Sequence, residues 1–352
     1  MQPQDCKVIG VGSPIVDLIA RVNDDFIEFA GGEKGGRQLV EPAHMEQLVK
    51  SIDSPMTQQL GGAAANTIFA LAHMHMQTAF LGEVGNDEPG RFFKQAFEEI
   101  GGDASRFKIS DTLPTARCLS LITPDTERTM RTNLGASVAL YKETIVPEDF
   151  AGYTHVYLEG YSLIDMDHTR NVMSAAKEAG CFTALDMGCI EVVENARAEL
   201  PELLENYVDA VFANEDEARA FCGRKDPFGA LDELSELCSI VAVKLGSLGT
   251  LLRRDAETFR VKPNWVKNVV DTTGAGDFWA AGFLFGLIRE YDLDVCGQLG
   301  NLLGGEVVQH MGANLSDAGW QRVRDEICRL DKTPRHPVGL LPTSVKTFVS
   351  SA

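Results

Sequence analysis

The second half of the chain alternates short apolar runs with helical patterns. Four apolar runs have the length and composition of buried strands and cover residues 156–158, 182–185, 210–212 and 241–245. Helical periodicity fills the spaces between them, for example over residues 168–179 and 215–222. Alternation of this kind favours a mainly parallel sheet with helices on both faces. It predicts an α/β fold whose ligands bind at the carboxyl ends of the strands.

The rest of the chain extends this pattern. In the first half, the expected strands cover residues 7–11, 78–81, 116–123 and 128–132, and the expected helices cover 63–74 and 91–100. After the fourth buried run, the expected strands cover residues 250–253 and 258–261, and two long helices cover 276–290 and 294–310. Residues 24–40 are rich in glycine and charge, so we expect them to be flexible or partly stranded.

The charge balance limits the partners that the chain can bind. Acidic residues number 51 against 32 basic ones, which gives a net charge of -19. Such a surface repels nucleic acid and anionic lipid headgroups, so neither is expected as a partner. The eight cysteines lack paired or zinc-type spacing, and the N-terminus lacks the pattern of a signal peptide. We therefore expect a reduced, cytoplasmic protein. A monomer and a homodimer are both open.

Residues 271–277, with the sequence DTTGAGD, open an apolar helical stretch. Gly274 and Gly276 allow the backbone to approach a ligand closely, and the unpaired amides of a helix entrance attract an anion. Asp277 in the first helical turn has two interpretations. It can simply stabilise the helix dipole, or it can accept the proton of a hydroxyl that attacks a bound phosphate.

Five other segments carry candidate site residues, and each also has a purely structural interpretation. Arg128 lies in an expected hairpin, where an exposed arginine is usually solvated. Asn214 and Glu217 have the spacing of a helix capping box. Two glycine pairs are typical of turns or of helix entrances, and Asp17 and Asn66 are polar residues within apolar surroundings. The glycine pairs are Gly61 with Gly62, and Gly246 with Gly249.

The motifs and their order along the chain resemble the ribokinase-like (PfkB) family of carbohydrate and nucleoside kinases. DTTGAGDF followed by Gly282 is similar to the C-terminal signature of that family, while GSPIVD, GGAAANT, ERTM and VFANEDEA are most similar to its adenosine-kinase-like members. The resemblance implies that the backbone of Gly274, Ala275 and Gly276 forms an anion hole and that Asp277 is the catalytic base. Asp271 and Thr273 match positions near which the family often binds a monovalent cation such as K⁺.

The same resemblance assigns roles to the other segments. Asn214 and Glu217 correspond to a motif that acts around Mg²⁺ and the phosphates, with Glu217 reaching the metal through water. Gly246 and Gly249 correspond to a nucleotide-binding turn. On the acceptor side, the residues implied to bind sugar hydroxyls are Asp17, Gly61, Gly62 and Asn66. Arg128 corresponds to an arginine that reaches the phosphates from a mobile lid.

The expected architecture is one doubly wound α/β kinase domain over residues 1–340, with a small β-rich lid. The lid is expected from segments of about 12–45 and 110–140, and residues 341–352 are expected to form a peripheral tail. The implied reaction moves the γ-phosphoryl group of MgATP to a primary hydroxyl, with the 5′-hydroxyl of adenosine as the first candidate. A kinase of a free sugar such as ribose or fructose, and a ligand-binding protein without turnover, are the alternatives. An early G-x-G-x-x-G is lacking, which disfavours a dehydrogenase.

Overall fold

Strands and helices both occur throughout the described chain, which in this computed structural model comprises residues 6–223 and 226–331. The strands are β1 Lys7–Val11, β2 Ile15–Arg21, β3 Arg37–Leu39, β4 Met56–Gly61, β5 Gln77–Leu81, β6 Glu83–Gly85, β7 Lys108–Ser110, β8 Ala116–Ile122, β9 Arg128–Asn133, β10 His155–Leu158, β11 Phe182–Asp186, β12 Ala210–Asn214, β13 Ile240–Lys244, β14 Thr250–Arg254 and β15 Glu257–Val261. The α-helices are α1 Asp24–Ala30, α2 Pro42–Lys50, α3 Ala63–His73, α4 Glu88–Glu99, α5 Met166–Glu178, α6 Ile190–Ala196, α7 Leu200–Tyr207, α8 Glu215–Cys222, α9 Pro227–Ser235, α10 Ala275–Ile288, α11 Leu293–Val307 and α12 Asp317–Asp331.

Eight of these strands form the central sheet, in the order β15-β14-β13-β12-β11-β10-β1-β5. Six neighbouring strands of this sheet are parallel, namely β5, β1, β10, β11, β12 and β13. Strands β14 and β15 add an antiparallel edge. Alternate residues of each strand enter one of two apolar cores, so that Val8 lies in one and Ile9 in the other. The predicted doubly wound, mainly parallel sheet with helices on both faces is confirmed.

A second sheet of five strands has the order β3-β9-β8-β2-β4. Two separate excursions of the chain build it, one between β1 and α3 and the other between β7 and β10. Strand β4 lies outside both segments from which we expected the lid. Its sequence, MTQQLG, lacks the apolar alternation of a strand, and it forms by pairing with β2.

The expectation that residues 24–40 are flexible or partly stranded is wrong for the first seven of them. Residues Asp24–Ala30 form helix α1, which Asn23 caps by accepting a hydrogen bond from the amide of Phe26 at 2.9 Å. Only Arg37–Leu39 is a strand. The expected tail at 341–352 and the end of the expected kinase domain lie outside the described residues.

Helix α10 is apolar on all sides and is buried between the sheet and its neighbours α3 and α11. Gly282 permits the close approach of α11, because a Cβ atom there would lie 2.4 Å from the carbonyl oxygen of Leu299. The entrance of α10 is consequently held by the core of the molecule. None of the helices in the described part of the chain has the length and apolar character needed to cross a membrane.

Candidate active site

The entrance of α10 presents backbone amides toward the carboxyl edge of the central sheet. Gly274 adopts a φ of 76°, a conformation that favours glycine, and a Cβ atom at this position would lie 2.6 Å from Cβ of Ala313. The amide of Ala275 donates to the carbonyl oxygen of Thr272 at 3.2 Å. Within residues 6–223 and 226–331, no group accepts a hydrogen bond from the amides of Gly274 and Gly276. These amides are available to an anion.

Asp277 lies in the first turn of α10 and is half-buried. Its Oδ2 accepts a hydrogen bond from Nδ2 of Asn66 at 2.8 Å, and its backbone oxygen accepts one from Oγ1 of Thr67 at 3.0 Å. Burial raises the pKa of Asp277 from 3.8 to about 7, although the bond from Asn66 lowers it; Asp186 also raises this pKa and Lys244 lowers it. A carboxylate with such a pKa can accept a proton near neutral pH.

Asn214 and Glu217 form the capping box that their spacing predicts at the start of α8. The carboxylate of Glu217 accepts from the backbone amide of Asn214 at 2.7 Å and from its Nδ2 at 2.6 Å. In return, Oδ1 of Asn214 accepts from the amide of Glu217 at 2.9 Å. Burial raises the pKa of Glu217 to about 7, with Lys244 opposing the rise. Each carboxylate oxygen therefore accepts one hydrogen bond from Asn214 and keeps a further lone pair.

Gly246 and Gly249 form a tight turn directly after β13. Gly249 has a φ of 92°, and a Cβ atom there would lie 2.0 Å from the carbonyl oxygen of Val261. Gly246 has a φ of 54° and no neighbour within 4 Å of its Cβ position. The second glycine is thus required by the close approach to β15, while the first leaves open space above the turn.

Asp17 and the glycine pair at the start of α3 lie side by side. A Cβ atom on Gly61 would lie 2.6 Å from Cγ of Asp17, and one on Gly62 would lie 2.0 Å from the carbonyl oxygen of Ser13. Burial raises the pKa of Asp17 to about 6, while Arg128 lowers it and Asp271 raises it. The carboxylate of Asp17 therefore lies over backbone that carries no side chain.

Arg128 connects the five-stranded sheet to the loop before α10. Its Nη1 donates to Oδ2 of Asp271 at 2.7 Å and to Oγ1 of Thr273 at 2.6 Å, and its Nε and Nη2 donate to Oγ of Ser120 at 3.1 and 2.9 Å. Burial opposes ionisation of Asp271, but amide bonds from Gly312 and Thr273, together with Arg128, lower its pKa. The two side chains predicted near a monovalent cation are thus bonded to a guanidinium group.

Three charged residues of the site were missed by the sequence analysis. Glu159, after β10, is 1% exposed, and its two oxygens accept from the amides of Ser13 and Ala64 at 2.8 and 2.9 Å. Lys244 and Asp186 end β13 and β11 and form an ion pair of 2.6 Å. All three occupy the end of an apolar strand run, at the edge where ligands bind. The sequence signal that could have identified them is a charged residue at the end of an apolar strand.

Two groups of predicted residues result from this geometry. One contains Asp17, Arg128, Asp271 and Thr273 and joins the five-stranded sheet to the loop before α10, while the other surrounds the carboxylate of Asp277. In the described chain, no three histidine, cysteine or acidic residues are grouped so as to hold a metal ion.

Comparison with solved structures places this architecture in a known class. The crystal structure of adenosine kinase from Sinorhizobium meliloti has 35% sequence identity, covers 92% of this chain and 99% of its own, and superposes with a TM-score of 0.78. The central sheet, its helices on both faces and the grouped site together define a ribokinase-like phosphotransferase with an alcohol group as acceptor.

Sequence comparisons agree with the structural one. The adenosine kinase of Dictyostelium discoideum is 27% identical over 338 residues, which is 88% of this chain and 96% of that protein. Aminoimidazole riboside kinase of Salmonella typhimurium is 29% identical over 238 residues, 65% of this chain and 74% of its own. The model of the pfkB family carbohydrate kinases matches residues 37–318. The chain therefore belongs to the pfkB family of carbohydrate kinases, whose members generally use ATP and Mg²⁺.

Proposed function

We propose that this kinase transfers the γ-phosphoryl group of MgATP to a primary hydroxyl of a ribose-containing substrate, and that the substrate is adenosine. The observation that carries the proposal is the position of the Asp277 carboxylate in the first turn of α10, beside the unbonded amides of Gly274 and Gly276. A base and an anion-binding backbone are thus combined within one helical turn.

Each group at this entrance has a role in the proposed transfer. The amides of Gly274 and Gly276 stabilise the charge that spreads over the phosphoryl oxygens in the transition state, and the amide of Ala275 joins them by exchanging its bond to Thr272 for one to the phosphoryl group. Asp277 accepts the proton of the attacking hydroxyl, which becomes the bridging oxygen of the phosphate ester. Asn66 holds the carboxylate in place through its bond of 2.8 Å.

On the acceptor side, the proposal assigns the ribose hydroxyls to Asp17 and to the exposed backbone at Gly61 and Gly62. A carboxylate accepts two hydroxyl donors of a vicinal diol, and glycine backbone allows a sugar ring to approach closely. The raised pKa of Asp17, about 6, reflects burial that a bound diol would compensate. Arg128 is assigned to the phosphates, since it already reaches the loop before α10.

On the nucleotide side, Gly246 and Gly249 are assigned to ATP. Mg²⁺ is assigned to phosphate oxygens and to waters bonded by Glu217. Bound Mg²⁺ neutralises negative charge on the phosphates. K⁺ near Asp271 and Thr273 belongs to the same proposal and would compete with Arg128 for their oxygens.

Adenosine is favoured over a free sugar by sequence identity. At the same 92% coverage of this chain, the adenosine kinase of known structure is 35% identical, whereas a probable sugar kinase of known structure is 30% identical. A cytoplasmic location accompanies this proposal and is supported by eight cysteines that are all free thiols.

The test compares wild type with Asp277→Asn in an assay of ADP release, using adenosine, other nucleosides, ribose and fructose. We expect the highest kcat/KM with adenosine and a loss of about 10²–10⁴-fold in kcat for the variant. Asp167→Asn is the matched control, because that side chain is fully exposed on α5. Near-full activity of Asp277→Asn would exclude the base, and a preference for a free sugar would exclude adenosine.

A further inference from the structure

An ion pair between Lys244 and Asp186 lies at the carboxyl edge of the central sheet. The phosphoryl transfer proposed above does not use it. The two side chains are each 12% exposed, and Nζ of Lys244 lies 2.6 Å from Oδ2 of Asp186. Oδ1 of Asp186 also accepts a hydrogen bond from the amide of Gly188 at 2.9 Å. The carboxylate is thus fixed by its own loop, and it fixes the ammonium group in turn.

The ammonium group lies against the entrance of α10. A Cβ atom built on Gly276 would lie 3.4 Å from Nζ of Lys244, so this nitrogen is the nearest atom to that face of the glycine. The amide of Gly276 is one of those left without a partner among the described residues. A positive side chain and an unbonded backbone donor therefore lie next to each other.

The charges around Lys244 are otherwise negative. Asp186, Glu217 and Asp277 all act on its ammonium group, and they raise its pKa although burial lowers it. Three carboxylates would repel an incoming phosphoryl group, and one ammonium group offsets part of that repulsion. An ammonium has three N–H donors, of which Asp186 uses one.

We propose that Lys244 is a further phosphate-binding residue, whose ammonium group donates hydrogen bonds to oxygens of the transferring phosphoryl group beside the amide of Gly276. Asp186 is a positioning residue that holds this ammonium group at the entrance of α10. The proposal rests on the proposed kinase function of the same site and adds a side-chain cation to its backbone donors.

A second ion pair, at the opposite edge of the central sheet, offers a matched control. Lys177 of α5 binds Asp209 with distances of 2.8 and 2.9 Å. Asp209 precedes β12, so this pair lies at the amino edge of the strands, opposite to Lys244. If both lysines only stabilise the fold, replacing either one should lower stability and leave turnover unchanged. If Lys244 binds phosphate, replacing Lys244 should lower turnover, and replacing Lys177 should not.

The experiment compares wild type with Lys244→Met, Lys244→Arg and Lys177→Met in steady-state kinetics with adenosine and MgATP, and in calorimetric binding of the analogue AMP-PNP with Mg²⁺. We expect Lys244→Met to lose about 10²-fold or more in kcat/KM, as for other donors to a transition-state anion. Lys244→Arg should regain part of the loss, and Lys177→Met should stay within about twofold of wild type. Thermal melting checks that each variant folds.

Asp186→Asn tests the positioning role. It should lower kcat by about tenfold while the KM for the acceptor stays constant, because only the hold on the ammonium group is weakened. Equal kinetics of Lys244→Met and Lys177→Met would overturn the proposal. If wild type turned over no acceptor, the proposed kinase function would fail, and the role of Lys244 would then be tested by binding alone. An AMP-PNP affinity that is unchanged in folded Lys244→Met would overturn that role.

Discussion

At the residue scale, the ionisation of Asp277 is governed by neighbours that act in opposite directions. Burial raises the pKa of its carboxyl group to about 7, and the hydrogen bond from Asn66 and the charge of Lys244 lower it. The negative neighbours Asp186 and Glu159 contribute to this rise. The proposed base thus titrates within the working range of an enzyme at neutral pH.

Asn66→Ala should therefore shift the pH dependence of kcat. Activity requires the ionised carboxylate, so kcat of wild type should fall as the pH drops through about 7. Loss of the bond from Asn66 raises the pKa of Asp277 and moves this fall to higher pH. Thr67→Val is the control, because the bond that Thr67 makes to residue 277 is to its backbone oxygen and not to its carboxylate. An unshifted profile for Asn66→Ala, measured from pH 5.5 to 9, would contradict this reading.

The same carboxyl group should reduce the stability of the fold at high pH. Its pKa is raised from 3.8 to about 7 in the folded protein, so the folded state binds the proton more tightly than the unfolded state. Stability is then lost as pH rises from about 4 through 7. Asp277→Asn removes this loss, so its Tm should exceed that of wild type by several degrees at pH 8. Each kcal/mol of recovered unfolding free energy raises the Tm by about 2–4 °C.

Calorimetric melts at pH 8, 7 and 6 check that expectation, and the advantage of Asp277→Asn should narrow as the pH falls below 7. Asp167→Asn, on the exposed side chain, should show a constant difference from wild type over the same range. A variant at residue 277 that is less stable than wild type at pH 8 would show that the charge is well solvated.

Residues with a local pattern were accessible to sequence reasoning, and residues that act across the fold were not. The capping box of Asn214 and Glu217 lies within one helical turn, and the structure contains it. Glu159, in contrast, binds amides that lie 146 and 95 residues away. Its role depends on the order in which parallel strands assemble, which no short window of sequence contains.

At the element scale, Glu159 joins the loop after β1 to the start of α3. Its carboxylate accepts the amides of Ser13 and Ala64, and a Cβ atom on Gly12 would lie 2.5 Å from its Cδ. The two segments that carry Asp17 and Asn66 are therefore held in one arrangement by a single buried side chain. This contact defines the geometry of the proposed acceptor site.

Glu159→Gln should loosen that arrangement. The amide has the same shape, but its NH₂ group faces a backbone donor, which leaves one buried N–H unpaired at a cost of about 1–3 kcal/mol. We expect a lower midpoint of urea unfolding together with a higher KM for the acceptor. Glu306→Gln is the matched variant, because Glu306 is also buried but binds Arg322. It should lose stability at constant acceptor KM, and the same behaviour in Glu159→Gln would refute the argument.

The elements themselves were predicted where periodicity is strong. The apolar runs at β10 to β13 and the helix α10 were found near their observed bounds. Strand β4 and helix α1 were not, since MTQQLG has no alternating pattern and α1 is only seven residues long. Both depend on neighbours in space, β4 on its pairing with β2 and α1 on the burial of Ile27 and Ala30.

At the scale of the whole molecule, the net charge of -19 should slow the approach of MgATP, which is itself anionic. Raising salt from about 10 to 150 mM shortens the screening length from about 30 to 8 Å. We therefore expect kcat/KM for MgATP to rise by up to about tenfold over this range in tetramethylammonium chloride. Steady-state rates over a salt series provide the measurement.

Replacing tetramethylammonium by K⁺ at constant ionic strength separates a specific cation effect from screening. A further rise in kcat with K⁺ would support the proposed site near Asp271 and Thr273. A fall in kcat/KM with rising salt would contradict the expected repulsion, because it would show that local cations such as Lys244 and Arg128 dominate the encounter.

The pairing of the five-stranded sheet has a consequence for biosynthesis. Strand β3 bonds only to β9, which leaves the ribosome about ninety residues later, and β2 pairs with β8 only after a similar delay. The nascent chain must therefore carry β2 without β8, and β3 without β9, while helices α3 and α4 have already been translated. The half of the molecule that would hold the acceptor is consequently finished only once residue 133 has been translated, so a truncated polypeptide that ends before that point cannot complete it.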